Sequence, residues 1–182
     1  MSTSEAVVAG IMGIGGTVVG ALLTQYLRGR GGLSIQCHDW KLDYMGTSRA
    51  TGEPLPASQA EGKWAEYKLR VEGFNLAENP TGLRMIRIIF MRGETEVWQD
   101  IPKDMETGRM YAMQMAYEPL FVVAFPPKTP VSFHLLGYVP NENLRKVMDA
   151  DAVYFRGMLP SGKKIRSLIA RLDSSSHLAA PM

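Results

Sequence analysis

The sequence predicts an all-β protein: an antiparallel β-sandwich preceded by one N-terminal transmembrane helix. Three observations lead there. Residues 6–27 carry no formal charge, and Glu5 is the one charged residue before Arg28. From Leu33 onward the apolar spacing shifts toward two, the period of a half-buried strand. Proline, glycine and asparagine then interrupt the chain every 8 to 12 residues or so, the spacing of sandwiches and barrels.

The apolar run comes first. As a helix it is about 33 Å long, enough to cross a hydrocarbon core of about 30 Å. Its polar members are mild, and Gln25 and Tyr26 fall where an interface belongs. The first five residues contain no Lys or Arg and no small-residue cleavage pattern follows, which argues against a signal peptide. A helix buried in a soluble oligomer is the other alternative. Arg28 and Arg30 follow the span at once, so the positive-inside rule puts the N-terminus outside and the C-terminal domain in the cytoplasm, with both arginines at the headgroups. The single cysteine agrees with a reducing compartment, and Asn79-Pro80-Thr81 is no glycosylation sequon.

Within the run, Ala6, Gly10, Gly13, Thr17, Gly20 and Thr24 are spaced 4, 3, 4, 3, 4, and Gly16 with Gly20 forms G-x-x-x-G. Small residues on one helix face let backbones approach closely in lipid, so the stripe predicts a homo-oligomer formed through this helix. The glycines also imitate nucleotide loops. However, Val18 stands where G-x-G-x-x-G needs glycine, Gly16 stands where a phosphate loop needs lysine, and no strand precedes either.

The remaining elements follow in order. Residues 1–5 are a short N-terminal segment, 28–32 a basic, glycine-containing linker, 33–172 the sandwich and 173–182 a flexible tail. Leu33, Ile35 and Cys37 alternate, with Trp40 and Tyr44 beyond them, and 45–62 reads as a loop. In 64–74, Tyr67, Leu69 and Val71 oppose Lys68, Arg70 and Glu72. Strands follow at 83–91 and 94–101, then a turn over 102–108. Residues 109–117 read as one strand, with Tyr111, Met113, Met115 and Tyr117 on one face, or as a helical turn. Short strands at 120–125 and 131–139 come next, then a loop with one helical turn over 141–150 and a final hairpin across Leu159-Pro160-Ser161-Gly162. That makes about eight strands, immunoglobulin-like in architecture only, because one cysteine rules out the antibody disulfide.

Little points to chemistry. Cys37 and His38 are neighbours on a strand, so they point to opposite faces, and Cys37 reads as a core thiol. Three histidines and one cysteine without close spacing predict neither a metal site nor another cofactor. A net charge of +2 with no aromatic interleaving argues against nucleic acid. Arg84, Arg87, Arg92, Lys163, Lys164, Arg166 and Arg171 read as solvated faces balanced by Glu66, Glu72, Glu94 and Glu96, or as headgroup contacts where they lie near the span. Tyr111, Met113, Met115 and Tyr117 are the candidate partner edge, since thioethers repack easily. The expectation is a membrane-anchored, non-enzymatic module whose cytoplasmic sandwich binds a partner protein. The alternative is a self-associating pore or channel-like assembly in which the β-domain senses or gates.

Overall fold

Alternating strands bury one face each and therefore need a second layer. In the computed structural model, which describes residues 32–111 and 114–172, that layer is a second antiparallel sheet. The anticipated span at 6–27, with its stripe and with Arg28 and Arg30, lies outside the described residues, as do Met113 and the tail at 173–182. Among the described residues no helix is long and apolar enough to cross a membrane.

The strands are β1 (Leu33–Thr47), β2 (Pro54–Pro56), β3 (Trp64–Asn75), β4 (Thr81–Arg92), β5 (Thr95–Asp100), β6 (Lys103–Tyr111), β7 (Gln114–Pro119), β8 (Val122–Phe125), β9 (Pro130–Val139), β10 (Ala152–Met158) and β11 (Lys164–Arg171), with one helix, α1 (Asn141–Met148), between β9 and β10. The first sheet has the order β2-β1-β3-β9-β6-β7. The second has the order β11-β10-β4-β5, and β8 pairs with the first residues of β4. The described residues form an antiparallel β-sandwich of these two sheets.

The expected alternation of β3 holds residue for residue: Tyr67, Leu69 and Val71 are buried. The partial alternation of β1 has a structural reason. Two residues, Asp39 and Trp40, occupy the space of one between the pairs His38–Arg70 and Lys41–Lys68. Asp39 takes the left-handed φ of 52° that this bulge needs. Upstream the odd residues Leu33, Ile35 and Cys37 pack on the core; downstream the even ones, Trp40, Leu42 and Tyr44, do so. The bulge is what turns Trp40 inward.

Three expectations are corrected. The stretch 102–108 is not a turn but the start of β6, kinked because Asp104 Oδ1 accepts from the Glu106 backbone N–H at 2.9 Å and Thr107 donates to the Asp104 carbonyl at 2.7 Å. Its turn-forming residues act inside a strand. Residues 109–117 are not one strand but the two sides of the β6–β7 hairpin. Residues 141–148 form an eight-residue helix rather than a loop, because Leu144 and Val147 share one buried face. Among the described residues there are thus eleven strands rather than eight.

The core is largely aromatic. Trp40 stacks on Tyr67 at 5.6 Å, Phe90 meets the Tyr67 ring edge-on at 6.1 Å, and Trp98 lies 5.3 Å from Phe90. The buried Tyr67 hydroxyl donates to Asp100 Oδ2 at 2.8 Å, joining β3 of one sheet to the end of β5 in the other. Its ring passes where the Gly137 side chain would be: a Cβ there would lie 1.9 Å from Tyr67 Cζ. Gly137→Ala is therefore expected to cost about 3 kcal/mol by urea denaturation, as overpacking against a rigid ring. Tyr67→Phe, which strips Asp100 of its donor, is expected to cost about 2 kcal/mol, whereas exposed Ser34→Ala stays within about 0.5 kcal/mol.

Candidate functional site

Asp100 ends β5, and the chain crosses from there to the first sheet at Lys103. Burial raises the Asp100 carboxyl above the ordinary range, opposed by the Tyr67 hydroxyl, by the backbone N–H groups of Ile101 and Tyr138, and by the nearby Lys103 charge. Held there, β6 pairs with β9 only through Lys103–Leu136 and Asp104–Leu135. Past the Asp104 kink its strand partner among the described residues is β7. The two strands form an arm, braced by the Glu118 backbone N–H donating to Thr107 Oγ1 at 2.8 Å.

Under the arm lies a groove of about 410 Å³ on the outer face of the first sheet. Met105, Met115 and Tyr117 of the arm face Leu136 and Tyr138 of β9, with Glu66, Lys68 and Lys103 at the rim. Gly108 leaves the room into which Met115 and Tyr117 fold, since a Cβ there would stand 2.9 Å from both. At the tip Met110 is 71% and Tyr111 78% exposed, and Met115 is 50% exposed. The registers Met110–Met115 and Tyr111–Gln114 divide the anticipated edge. Met115 and Tyr117 share the groove side with Met110, while Tyr111 stands on the opposite face. The one-face expectation is corrected because Tyr111 pairs with Gln114 and Met110 with Met115, so the period of two does not run on from β6 into β7; Met113 lies outside the described residues.

Above the groove the same outer face carries a polar row. His38, Arg70 and His134 sit side by side on β1, β3 and β9. His38 Nε2 lies 3.6 Å from Glu72, Arg70 Nε 3.4 Å from Asp39 and His134 Nδ1 3.8 Å from Glu106. Among the described residues no cluster of His, Cys, Asp or Glu is arranged to hold a metal. Cys37 points the other way and packs on the core. Burial pushes its thiol up to about 11, against a smaller opposing hydrogen bond with Ser167.

The outer face of the second sheet is different. Arg87, Arg156 and Arg166 are directly paired across β4, β10 and β11, and Arg84, Met158 and Lys164 form the next row. Arg156 binds Glu96 Oε2 at 3.0 Å and Gln99 Oε1 at 2.9 Å, and Arg166 lies 3.7 Å over the Tyr154 ring. Sequence reasoning spread these cations over faces balanced by glutamates. The fold puts Glu66 and Glu72 on the other sheet, and Glu96 alone of the four forms an ion pair with this face. Outward positions on three separate strands carried the signal, but only the pairing makes them neighbours.

These features define the class of the protein: an immunoglobulin-like sandwich domain with one projecting hairpin arm and one basic face. Residues 31–170 match the YopI Ig-like domain family, and the chain belongs to that family. It is 23% identical over 164 residues to the SPbeta prophage-derived uncharacterized protein YopI of Bacillus subtilis (strain 168), covering 90% of this chain and 91% of that one. Among solved structures, an uncharacterized β-sandwich protein from Clostridium difficile 630 aligns over 76% of this chain and 85% of its own, at 12% identity and a TM-score of 0.36. The putative ApaA protein of Bordetella pertussis aligns over 78% and 91%, at 11% identity and a TM-score of 0.32.

The Cys37 thiol gives a direct test of the packing. At pH 8 a thiol raised from 9 to about 11 has about a hundredfold less thiolate. Native protein is expected to react with a chromogenic disulfide at least that much more slowly than protein in urea. The linkage has the matching sign. A folded pKa above the unfolded value gives stability that is complete below pH 9 and lost as pH rises through 11. The urea midpoint is therefore expected to fall across that window.

Proposed function

We propose that this protein is a membrane-anchored, non-enzymatic interaction module whose sandwich binds an extended segment of a partner protein. The observation that carries the reading is the β6–β7 arm, a projecting edge hairpin whose tip exposes Met110 and Tyr111 beside a groove that mixes methionine, leucine and tyrosine with charged groups. An edge strand offers unpaired backbone groups to an added strand, and adaptable methionine and tyrosine side chains supply pockets alongside it. The single cysteine is partly buried against the core, and that burial pushes its thiol up to about 11.

In this reading residues 6–27 are the span, the N-terminus is outside and the sandwich is cytoplasmic, with Arg28 and Arg30 at the headgroups. The stripe Ala6, Gly10, Gly13, Gly16, Thr17, Gly20 and Thr24 brings two or more spans together. The pore-like assembly is the second reading; the same stripe favours it.

Two experiments test the proposal. A photo-crosslinking residue at Met110 or Tyr111 is expected to capture one protein in cells, whereas the same probe at Leu168 captures none. Met110→Ser with Met115→Ser is expected to lower that capture at least tenfold, about 1.4 kcal/mol, with no loss of thermal stability. Equal capture at both sites rejects the arm. In a membrane self-association assay of the isolated span, Gly20→Ile is expected to reduce association and Ala21→Ile to leave it nearly unchanged. Equal behaviour leaves an anchor without a neighbour.

A further inference from the structure

Like charges directly opposite on neighbouring strands repel, so three arginines in one row call for an explanation. Arg156 alone of the three has a carboxylate partner among the described residues. Arg87 turns one guanidinium nitrogen back to the Ile86 carbonyl, at 3.1 Å, and Arg166 rests on Tyr154. One row further along, Arg84 and Lys164 are exposed and have no ion-pair partner among the described residues. Arg87, Arg156 and Lys164 surround a depression of about 150 Å³ together with Met85 and Met158. Met85 sits at a second bulge, with φ of 55°, and is 57% exposed. The surface thus combines several cations, one paired glutamate and protruding apolar side chains.

Its place in the fold narrows the occupant. The β10–β11 turn leads straight into Lys163 and Lys164, and Leu159, Pro160 and Ser161 of that turn line one depression with Gly32 and Leu33. The basic rows therefore begin at the end of the sandwich where the chain arrives from the N-terminal apolar run. Five residues lie between Leu27 and Leu33, so the six steps of chain reach about 20 Å at most. Arg28 and Arg30 fall within that stretch.

We infer that the outer face of the β11-β10-β4-β5 sheet docks on an anionic membrane surface, where Arg84, Arg87, Arg156, Lys164 and Arg166 bind lipid phosphates and Met85 enters the headgroup layer. This rests on the membrane-anchored reading above. Basic residues beside a span are drawn to anionic leaflets within a Debye length of about 10 Å, and so short a connection lets this end of the sandwich approach that closely. Nucleic acid is disfavoured because Tyr154, the aromatic on this face, is already covered by Arg166. Docking on this sheet leaves the opposite sheet, with its arm and groove, free for a partner.

The test uses the full-length chain with Ser161→Cys carrying an environment-sensitive fluorophore in the β10–β11 turn; native Cys37 is partly buried with a raised thiol and is expected to label far more slowly. With vesicles of phosphatidylcholine containing about one-third phosphatidylglycerol, a fluorescence rise of roughly threefold with a blue shift is expected, reversed by about 0.5 M NaCl. Phosphatidylcholine alone should give no change. Arg84→Gln/Lys164→Gln/Arg166→Gln should lose the signal, and Arg145→Gln/Lys146→Gln on α1 should keep it. If the triple variant does not fold by circular dichroism, Lys164→Gln alone with the salt titration decides. An equal response in both lipids, or an unchanged one in the folded variant, overturns the inference. A stronger response to a short single-stranded RNA than to the vesicles reassigns the face to nucleic acid, and loss of the vesicle signal to millimolar inorganic phosphate reassigns it to free phosphate. Carbonate extraction separates this outcome from the anchor. Protein that extracts yet keeps the signal refutes the span and leaves the docking, while protein that resists extraction without the signal does the reverse.

Discussion

The Tyr67 hydroxyl reaches across the core to Asp100, and most of what distinguishes this sandwich hangs on that contact. It requires Gly137 to have no side chain, Trp40 to lie flat against the ring and Phe90 to meet its edge. It also holds a partly buried carboxyl, where its hydrogen bonds to Tyr67 and to two backbone N–H groups offset the cost of burial. Because Asp100 closes β5, the same contact sets the point at which the chain leaves one sheet and joins the other. β6 then has two register pairs with β9 before the Asp104 kink turns it away. The arm and groove follow from that geometry.

The two outer faces divide the surface by chemistry. The first sheet sets cationic Arg70 against Asp39 and places His38 beside Glu72, so its outer face offsets its own charge across the strands. The second lines up Arg87, Arg156 and Arg166 with one glutamate among them, a repulsive row that an external anion would relieve. The two proposed contacts, a partner segment at the arm and phosphates at the basic rows, lie on opposite layers, so neither obstructs the other.

Bulges do the aiming. Without Asp39 in its left-handed conformation, the odd residues of β1 would continue inward and Trp40 would face solvent. Without the irregularity at Met85, Arg84 and Arg87 would lie on opposite faces of β4, because residues three apart on a regular strand do. The aromatic core and the basic face each depend on one extra residue in a strand.

How much of this was legible in the sequence depends on the range of the interaction. Local periodicity reported the all-β class, the inward set of β3, the core position of Cys37 and the final hairpin, because each depends on which neighbours along the chain share a face. Tyr111, Met113, Met115 and Tyr117 were legible as a candidate edge, but the placing of Tyr111 on one face and Met115 and Tyr117 on the other was not, since it depends on the antiparallel pairing of β6 with β7 rather than on alternation along the chain. Asp104, Thr107 and Gly108 looked like a turn and instead kink a strand, because β7 supplies the partners that keep it extended. The clasp from Tyr67 to Asp100 and the row Arg87–Arg156–Arg166 left no local trace. Their members are 33 residues apart in the first case and lie on three strands in the second, and only sheet pairing and the packing of two layers bring them together.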